Sequence, residues 1–298
     1  MSAGGPISNA SAEAFLSRYA AFLVDVDGVL VHGKDSLPGA SAALAKLQSL
    51  GRTLVLTNNS SRTRDELARY LSTVGLDVRP EDLLGSSFLA ARYLSRHVGP
   101  TTAWVLGEEG IRRELTDAGH RLAASPEDAE WVVVGIDRQV SYASLALALR
   151  ALIAGARILA TNEDATFPTP DGLVPGAGAL VGALRGMGFP PTVVVGKPSP
   201  EAFGAALDVL GVPASRVLMI GDRLDTDIMG AAACGLDSAL VLTGISSLDE
   251  AQACGVRPTW VARTFVDLCD GRLVEGRGAA GRPAARKGRD GECNRRPY

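Results

Sequence analysis

The chain has 298 residues, of which 46% are hydrophobic and 21% charged, an ordinary composition for a globular protein. This composition excludes a mostly disordered protein, a collagen and a coiled coil, and the length fits one large domain or two smaller ones. The net charge of −3 argues against a protein built to bind nucleic acid. No apolar run reaches the ~18–20 residues of a membrane helix, and no signal peptide is evident. We therefore expect a cytoplasmic protein without membrane contact.

Short apolar runs alternate along the chain with stretches of helical periodicity. The predicted strands are Ala21–Val24, Thr53–Leu56, Thr102–Leu106, Trp131–Val134, Arg157–Ala160, Thr192–Val195, Val217–Ile220 and Ser238–Leu242. The predicted helices are Ala40–Leu50, Arg62–Val74, Ser86–Arg96, Ile111–Ala118, Tyr142–Ala154, Gly178–Met187 and Glu201–Leu210. Such alternation predicts an α/β fold with a doubly wound, Rossmann-like parallel sheet covered on both faces.

Polar segments follow four of the predicted strands at the point where each strand ends. They are Asp25-Val26-Asp27-Gly28, Thr57-Asn58-Asn59-Ser60-Ser61, Gly196-Lys197-Pro198 and Gly221-Asp222-Arg223-Leu224-Asp225-Thr226-Asp227. Ligands of open α/β sheets bind beyond the carboxyl ends of the strands, so these segments hold the candidate functional residues. No glycine-rich dinucleotide fingerprint follows the first strand, which argues against a Rossmann dehydrogenase.

The residue types in these segments fit phosphoryl transfer. Asp25 and Asp27 repel each other, so both ionise only beside a cation, and with Asp222 they offer the oxygen ligands that Mg²⁺ prefers. The turn after Thr57 leads into a predicted helix, whose N-terminus attracts an anion, and Lys197 can hold a phosphoryl oxygen. Each segment alone also has a structural explanation as a polar turn or a helix cap. Their joint placement after strands favours a functional site.

The motifs DVDGVL, TNNSSRTR, VVGKPSPEAF and GDRLDTDIMGA occur in an order that resembles the haloacid dehalogenase-like hydrolase superfamily. Within it, the chain resembles the NagD-like, p-nitrophenylphosphatase and phosphoglycolate phosphatase subfamily. The resemblance implies that Asp25 is the nucleophile that forms an aspartyl-phosphate. It also implies that Asp27 protonates the leaving group and then deprotonates water.

The resemblance further implies a set of ligands for metal and substrate. Mg²⁺ would be held by Asp25, the backbone carbonyl of Asp27, and Asp222. Asp227 would stand outside the first ligands of the metal, Asp225 has no assigned role, and whether either contributes stays open. The implied phosphate contacts are Thr57, Asn58, Asn59 and Lys197.

The acid at position 27 separates a phosphatase from related enzymes. An alkoxide-like leaving group needs a proton donor, whereas related ATPases carry threonine at this position and dehalogenases lack the aspartate. A phosphomutase is an alternative, but those relatives usually carry a helical cap between the segments that hold Asp27 and Thr57. A phospho-acceptor signalling domain is the non-enzymatic alternative, and it is shorter and has no inserted domain.

The spacing of the motifs predicts the domain organisation. About 130 residues separate the TNNSS and GKPSP motifs, too many for one strand–helix–strand crossover. We predict a hydrolase core from residues 14–80 and 191–275, with an inserted α/β cap domain at 81–190. The cap loop at 162–168 is expected to approach the substrate. Residues 276–298 are rich in arginine and glycine and almost devoid of large apolar side chains, which predicts a disordered basic tail.

The expected partner is a small phosphorylated metabolite. Substrates similar to phosphoglycolate, glycerol phosphate and p-nitrophenyl phosphate are the first expectation, with nucleoside monophosphates and sugar phosphates as alternatives. The sequence does not distinguish these substrates, because the shape of the cap loops sets the choice. It leaves the oligomeric state open as well, including a homodimer.

Overall fold

The computed structural model describes residues 15–169, 172–253 and 255–276. The predicted basic tail lies outside these residues from position 277 onward. Within the described ranges, none of the helices combines the length and the apolar character needed to cross a membrane.

Strands and helices alternate through most of the described chain. The strands are β1 Ala21–Val24, β2 Val31–His32, β3 Asp35–Ser36, β4 Arg52–Thr57, β5 Leu83–Gly85, β6 Thr102–Leu106, β7 Arg121–Leu122, β8 Trp131–Val134, β9 Arg157–Ala160, β10 Thr166–Thr169, β11 Gly172–Pro175, β12 Val193–Val194, β13 Val217–Gly221, β14 Asp237–Val241, β15 Trp260–Ala262 and β16 Leu273–Gly276. The helices are α1 Ala40–Leu50, α2 Arg64–Thr73, α3 Ser86–His97, α4 Glu109–Asp117, α5 Tyr142–Ile153, α6 Ala177–Gly186, α7 Pro200–Leu210, α8 Met229–Ala233, α9 Leu248–Ala253 and α10 Phe265–Cys269.

Seven strands form one sheet in the order β16-β15-β14-β13-β1-β4-β5. The pairs β1–β13, β13–β14, β14–β15 and β4–β5 are parallel, whereas the edge strand β16 runs antiparallel to β15. Every residue of β1 is buried, as is typical of a parallel strand covered by helices on both faces. The parallel sheet confirms the predicted α/β fold class.

The described residues fall into two compact units. The first unit contains the residues up to Leu54 and those from Leu207 onward, and the second unit is Val55–Ala206. The chain passes from one unit to the other within β4 and again within α7. The predicted domain boundaries, at residues 80 and 190, lie at other positions and remain a prediction.

The second unit has a sheet of its own in the order β12-β9-β8-β6-β7, parallel throughout. Aliphatic side chains from its strands and from α5 and α6 form a hydrophobic core that includes Val132, Ile158, Ala151 and Leu184. Removing these side chains from water stabilises the unit by about 25 cal/mol per Å² of apolar surface. A separate antiparallel hairpin, β10–β11, follows β9 and pairs Phe167 with Val174.

The predicted elements match the observed ones closely. The strand predicted at Thr192–Val195 is assigned as Val193–Val194, yet the N–H groups of Thr192 and Val195 also donate to carbonyls of β9. The helix predicted from Arg62 begins at Arg64, because the preceding Thr63 caps it. The Thr63 hydroxyl accepts from Glu66 N, and the Glu66 carboxylate accepts from Thr63 N, which forms a capping box.

Candidate active site

Three aspartates of the first unit form a buried acidic cluster: Asp25, Asp222 and Asp227. Strands β1 and β13 are parallel with Val24 opposite Ile220, so Asp25 and Asp222 follow neighbouring strands at the same edge of the sheet. Asp227 lies in the π-helical turn Leu224–Ile228 that comes directly afterwards. One carboxylate oxygen of each residue lies within 4.8 Å of the others. The strand pairing thus brings two of the three carboxylates together, and the turn adds the third.

Backbone groups hold Asp222 in the acidic cluster. Ile245 N donates to Asp222 Oδ2 at 2.8 Å, and Ser246 N donates to Asp222 O at 3.1 Å. Gly28 turns beside it with a φ of 76°, and a Cβ at this position would lie 2.6 Å from Asp222 Oδ2. A side chain at position 28 would therefore be strained and would collide with the carboxylate.

Asp225 and Asp227 are only two residues apart but have different surroundings. Asp227 is fully buried, and its Oδ2 accepts from Arg223 N at 3.1 Å. Asp225 has a side chain that is 58% exposed, and both its oxygens pair with the Arg223 guanidinium at 3.0 and 2.8 Å. Asp227 is therefore the residue of this motif that joins Asp222, and Asp225 is an exposed ion-pair partner.

The charge of the acidic cluster calls for a cation. Three carboxylates are removed from water, and like charges this close cannot all ionise without a compensating positive charge. Carboxylate oxygens are the ligands of hard divalent cations such as Mg²⁺ and Ca²⁺. The donor set therefore fits a divalent metal ion held by Asp25, Asp222 and Asp227. Asp27, which was expected to contribute through its carbonyl, is half-buried and pairs with Val31 in an isolated bridge.

In the second unit, the turn after β4 is held by its own side chains. Thr57 Oγ1 accepts from Asn59 N at 3.2 Å, and Asn59 Oδ1 accepts from both Ser61 N and Ser61 Oγ at 2.9 Å. Turns closed by an asparagine side chain in this way are rigid and local. The turn thus has a fixed shape that presents the Thr57 hydroxyl and the Asn58 backbone.

Asn58, Asp164 and Lys197 form a second cluster, called here the amide–lysine cluster. Asn58 Oδ1 accepts from Lys197 N at 2.8 Å, and Asn58 Nδ2 donates to Lys197 O at 2.9 Å and to Asp164 Oδ2 at 3.0 Å. Lys197 is buried, with 2% of its surface exposed. The cluster joins residues of three segments that are far apart in sequence.

Two further side chains support the backbone of Asn58. Asn162 Nδ2 donates to Asn58 O at 2.8 Å, and the buried Ser86 Oγ donates to the same oxygen at 2.7 Å. Asn162 Oδ1 in turn accepts from Asp164 N at 3.1 Å. The carbonyl of Asn58 is thereby fixed from two sides.

The N-terminus of α2 does not serve as the expected anion site. This helix begins five residues beyond Asn59, and its first N–H, from Arg64, donates to Glu114 Oε1 at 2.7 Å. Burial raises the pKa of the Glu114 carboxyl above its ordinary value, and the hydrogen bond from Arg64 N offsets part of that rise. The Glu114 carboxyl group thus already occupies the helix N-terminus, where an anion is stabilised.

Sequence reasoning overlooked several residues around both clusters. The segment Thr243-Gly244-Ile245, which holds Asp222 and the carbonyl of Gly28, was not singled out; Asp227, whose contribution the sequence left open, is a member of the acidic cluster. That segment also follows a predicted strand, so the same strand-end rule could have found it. Asn162 lies in the loop expected to approach the substrate, but its bond to Asn58 O was not predicted. Ser86 gave no comparable signal, because its role depends on a hydrogen bond to a distant backbone atom.

Comparison with related sequences identifies the family of this chain. An acid sugar phosphatase of Staphylococcus aureus is 35% identical over 255 residues, which cover 85% of this chain and 96% of that relative. Residues 22–121 match the family model described as haloacid dehalogenase-like hydrolase, and residues 194–268 match a model described as HAD-hydrolase-like. The chain belongs to the haloacid dehalogenase-like hydrolases.

Solved structures similar to this hydrolase include phosphatases. A p-nitrophenyl phosphatase of Archaeoglobus fulgidus superposes with a TM-score of 0.80 at 34% identity, covering 85% of this chain and 99% of that one. A glycerol phosphate phosphatase of Mycobacterium tuberculosis, solved in complex with calcium, superposes with a TM-score of 0.78 at 36% identity, covering 85% and 75%. The same phosphatase has been solved in complex with magnesium.

These relatives confirm the resemblance derived from the motifs. The hydrolase is a phosphoric monoester hydrolase of the NagD-like subfamily, with a Rossmann-like core.

Proposed function

We propose that this hydrolase is a Mg²⁺-dependent phosphatase of small-molecule phosphate monoesters that works through an aspartyl-phosphate on Asp25. The observation that carries the proposal is the buried acidic cluster, in which Asp25 lies with two further carboxylates that can hold a divalent cation. The relatives are named for their action on sugar, glycerol and p-nitrophenyl phosphates, which supports substrates of similar size for this hydrolase.

The metal is proposed to be Mg²⁺, held by Asp25, the backbone carbonyl of Asp27, and Asp222. Asp227 belongs to the same cluster and would bind the metal directly or through a water molecule. Bound Mg²⁺ would neutralise the carboxylates and the phosphate, which lets an anionic nucleophile approach an anionic ester.

Asp25 and Asp27 are proposed to share the chemistry. A carboxylate oxygen of Asp25 attacks phosphorus, the bond from phosphorus to the ester oxygen breaks, and Asp27 gives its proton to the departing alkoxide. Asp27 then takes a proton from a water molecule whose oxygen attacks the aspartyl-phosphate. This second step releases inorganic phosphate and restores both side chains.

Residues of the second unit are proposed to bind the phosphoryl group. The Thr57 hydroxyl and the Asn58 backbone N–H would donate to its oxygens, and the Lys197 ammonium would balance its charge. Asn59, also expected as a phosphate contact, fixes the shape of the turn through Ser61. Catalysis of phosphoryl transfer is mostly positioning and charge stabilisation, so rigid donors of this kind suit the reaction.

The proposed division into a core and a cap places substrate selection in the inserted segment 81–190. Strands β6–β9 and the hydrophobic core around Val132 and Ile158 support an independent fold for this segment. The basic tail has no role in this proposal.

The function can be tested with a panel of phosphate esters. Phosphate release from p-nitrophenyl phosphate, glycerol phosphate, phosphoglycolate, sugar phosphates and nucleoside monophosphates would be measured with Mg²⁺ and with excess chelator. We expect Mg²⁺-dependent release and a phosphoenzyme that hydroxylamine cleaves, as it cleaves acyl phosphates. Full activity in chelator, or transfer of phosphate back to the substrate without net release, would contradict the proposal.

A further inference from the structure

The side chain of Asn58 has no donor left for a phosphate oxygen. A side-chain amide offers one oxygen acceptor and two N–H donors. In this structure the oxygen accepts from Lys197 N, and the two donor positions are accounted for by Lys197 O and Asp164 Oδ2. The contact expected between Asn58 and phosphate can therefore come only from its backbone.

The two bonds to Lys197 form a closed pair. The Asn58 side chain accepts from Lys197 N at 2.8 Å and donates to Lys197 O at 2.9 Å. Two neighbouring β-strands pair their backbones in the same way. An aspartate could accept from Lys197 N but could not donate to Lys197 O, and an alanine could do neither. The asparagine amide, unlike these two side chains, can therefore fix both backbone groups of Lys197.

The neighbouring glycine leaves room for this pair. A Cβ at Gly196 would lie 2.6 Å from Asn58 Oδ1 and 2.3 Å from the backbone oxygen of Thr161, both closer than van der Waals contact allows. The segment that carries Lys197 approaches the amide because position 196 has no side chain. Gly196 thus offers a way to disturb the pair from the opposite side.

Lysine depends on such support more than arginine does. Its ammonium is a compact charge on four flexible methylene groups, so its position is set by the backbone anchor and by the groups that enclose the chain. Lys197 is almost fully buried, so a displacement of its Cα also displaces the ammonium. Small displacements of a charge that stabilises a transition state lower the rate considerably.

From these contacts we infer that Asn58 is a positioning residue that acts through Lys197, and that its side chain does not bind the substrate. Asp164 attaches to the same amide and ties the segment that precedes β10 to Lys197. This inference rests on the proposed role of Lys197 in binding the phosphoryl group.

A double-mutant cycle between Asn58→Ala and Lys197→Ala tests the inference. We expect Asn58→Ala to lower kcat/KM about 10-fold to 100-fold in the wild-type background, the usual effect of removing a partner from buried hydrogen bonds. In the Lys197→Ala background the same change should cost less than about threefold, because the group it positions is already gone. Effects that multiply in the double variant would overturn the inference.

Asn59→Ala provides the matched control. It removes the same amide from the neighbouring position, where the side-chain oxygen is bonded to Ser61. Its effect should be of similar size in both backgrounds. Equal coupling of Asn58 and Asn59 to Lys197 would also overturn the inference, because it would show a general disturbance of the turn.

Two further measurements keep the test decisive. If Asn58→Ala does not fold, as judged by its melting temperature, Gly196→Ala takes its place. The reduction in kcat/KM that Gly196→Ala causes should likewise be smaller in the Lys197→Ala background than in the wild type. If the double variant is too slow to assay, the Kd of inorganic phosphate for the Mg²⁺-loaded protein replaces kcat/KM in the cycle. A Lys197→Ala variant with wild-type activity would overturn the proposed role of Lys197 and this inference together, whereas multiplying effects overturn the inference alone.

Discussion

The acidic cluster of the first unit and the amide–lysine cluster of the second are assembled by different means. In the acidic cluster, two carboxylates follow paired parallel strands, and backbone N–H groups hold Asp222 and Asp227. In the amide–lysine cluster, one side chain, Asn58, joins segments that are 106 and 139 residues away. The first cluster is a product of sheet register, and the second is a product of side-chain hydrogen bonds.

The difference matters for how each cluster responds to change. The acidic cluster brings three buried carboxylates close together, so it is sensitive to substitutions that alter charge or crowd a carboxylate. The amide–lysine cluster is joined instead by hydrogen bonds from the Asn58 amide to the Asp164 carboxylate and to the backbone of Lys197. We expect abrupt losses in the first cluster and graded ones in the second.

The largest effect is expected from Asp25→Asn. An amide is not a nucleophile toward phosphorus, so kcat should fall on the order of 10⁴-fold or more while the melting temperature changes little. The matched control is Asp225→Asn, which alters an exposed carboxylate of the ion pair with Arg223 and should stay within a few-fold of wild type. Substantial turnover by Asp25→Asn would contradict its role as nucleophile.

Asp27→Asn should have an effect that depends on the leaving group. Loss of the general acid should cost roughly 10²–10⁴ in kcat/KM for alkyl phosphates, whose alkoxides need a proton. For p-nitrophenyl phosphate, whose leaving group needs little protonation, formation of the phosphoenzyme should suffer much less. A burst of p-nitrophenol in rapid-mixing experiments would show this. An equal loss for both kinds of ester would refute the assignment.

Gly28→Ala should weaken metal binding. The new Cβ would press on Asp222 Oδ2 from 2.6 Å, so we expect the Mg²⁺ concentration for half-maximal activity to rise about tenfold, equivalent to ~1.4 kcal/mol. Gly75→Ala is the matched control, since Gly75 has a φ of 80° and a Cβ added there would meet no neighbouring atom within 4 Å. Both variants carry the same backbone strain. If both shift the Mg²⁺ requirement equally, crowding of Asp222 is not the cause.

Phe167→Ala should reorder the substrates by a few-fold without altering the requirement for metal. Phe167 lies on the β10–β11 hairpin, in the loop expected to approach the substrate, and its ring would pack against aryl or apolar leaving groups. Leu173→Ala, an exposed residue of the same hairpin, serves as control. An unchanged ranking of esters by kcat/KM would place the specificity determinant elsewhere.

The smallest effect concerns stability and pH at Glu114. Because burial raises its pKa above the ordinary 4.5, the folded protein holds the proton more readily than the unfolded chain. The stability of the wild type relative to Glu114→Gln should therefore fall as pH rises from 4.5 through the raised pKa, and then stay level. Melting temperatures should show a shift of a few degrees at most, as about 1 kcal/mol moves Tm by ~2–4 °C in domains of this size. A difference that is constant with pH would contradict the prediction.

The sequence predicts the first unit better than the second for a physical reason. Apolar runs mark the strands, and the carboxyl ends of parallel strands meet at one edge, so Asp25 and Asp222 could be placed together from periodicity alone. The sequence left the contribution of Asp227 open, because a π-helical turn, rather than a regular helix, carries it. Helix periodicity gives no signal for such a turn.

In the second unit, the residue types were predictable but their partners were not. Asn58 and Lys197 were identified from their places after predicted strands. Their mutual hydrogen bonds depend on how the segments pack, which periodicity does not encode. The start of α2 shows the same limit, because Glu114, which lies 50 residues away, accepts from Arg64 N at the helix N-terminus that was expected to attract an anion.

The junction between α2 and α4 has an evolutionary consequence. A Cβ at Gly110 would lie 2.5 Å from Arg62 N, Gly110 N donates to Ser61 O, and Glu114 accepts from Arg64 N. We therefore expect these two stretches, although distant in sequence, to change together in evolution, since a change in either removes the fit of the other. A lineage that replaced Glu114 would have to supply a new acceptor for Arg64 N, and a lineage that replaced Gly110 would have to rebuild the loop at 61–64.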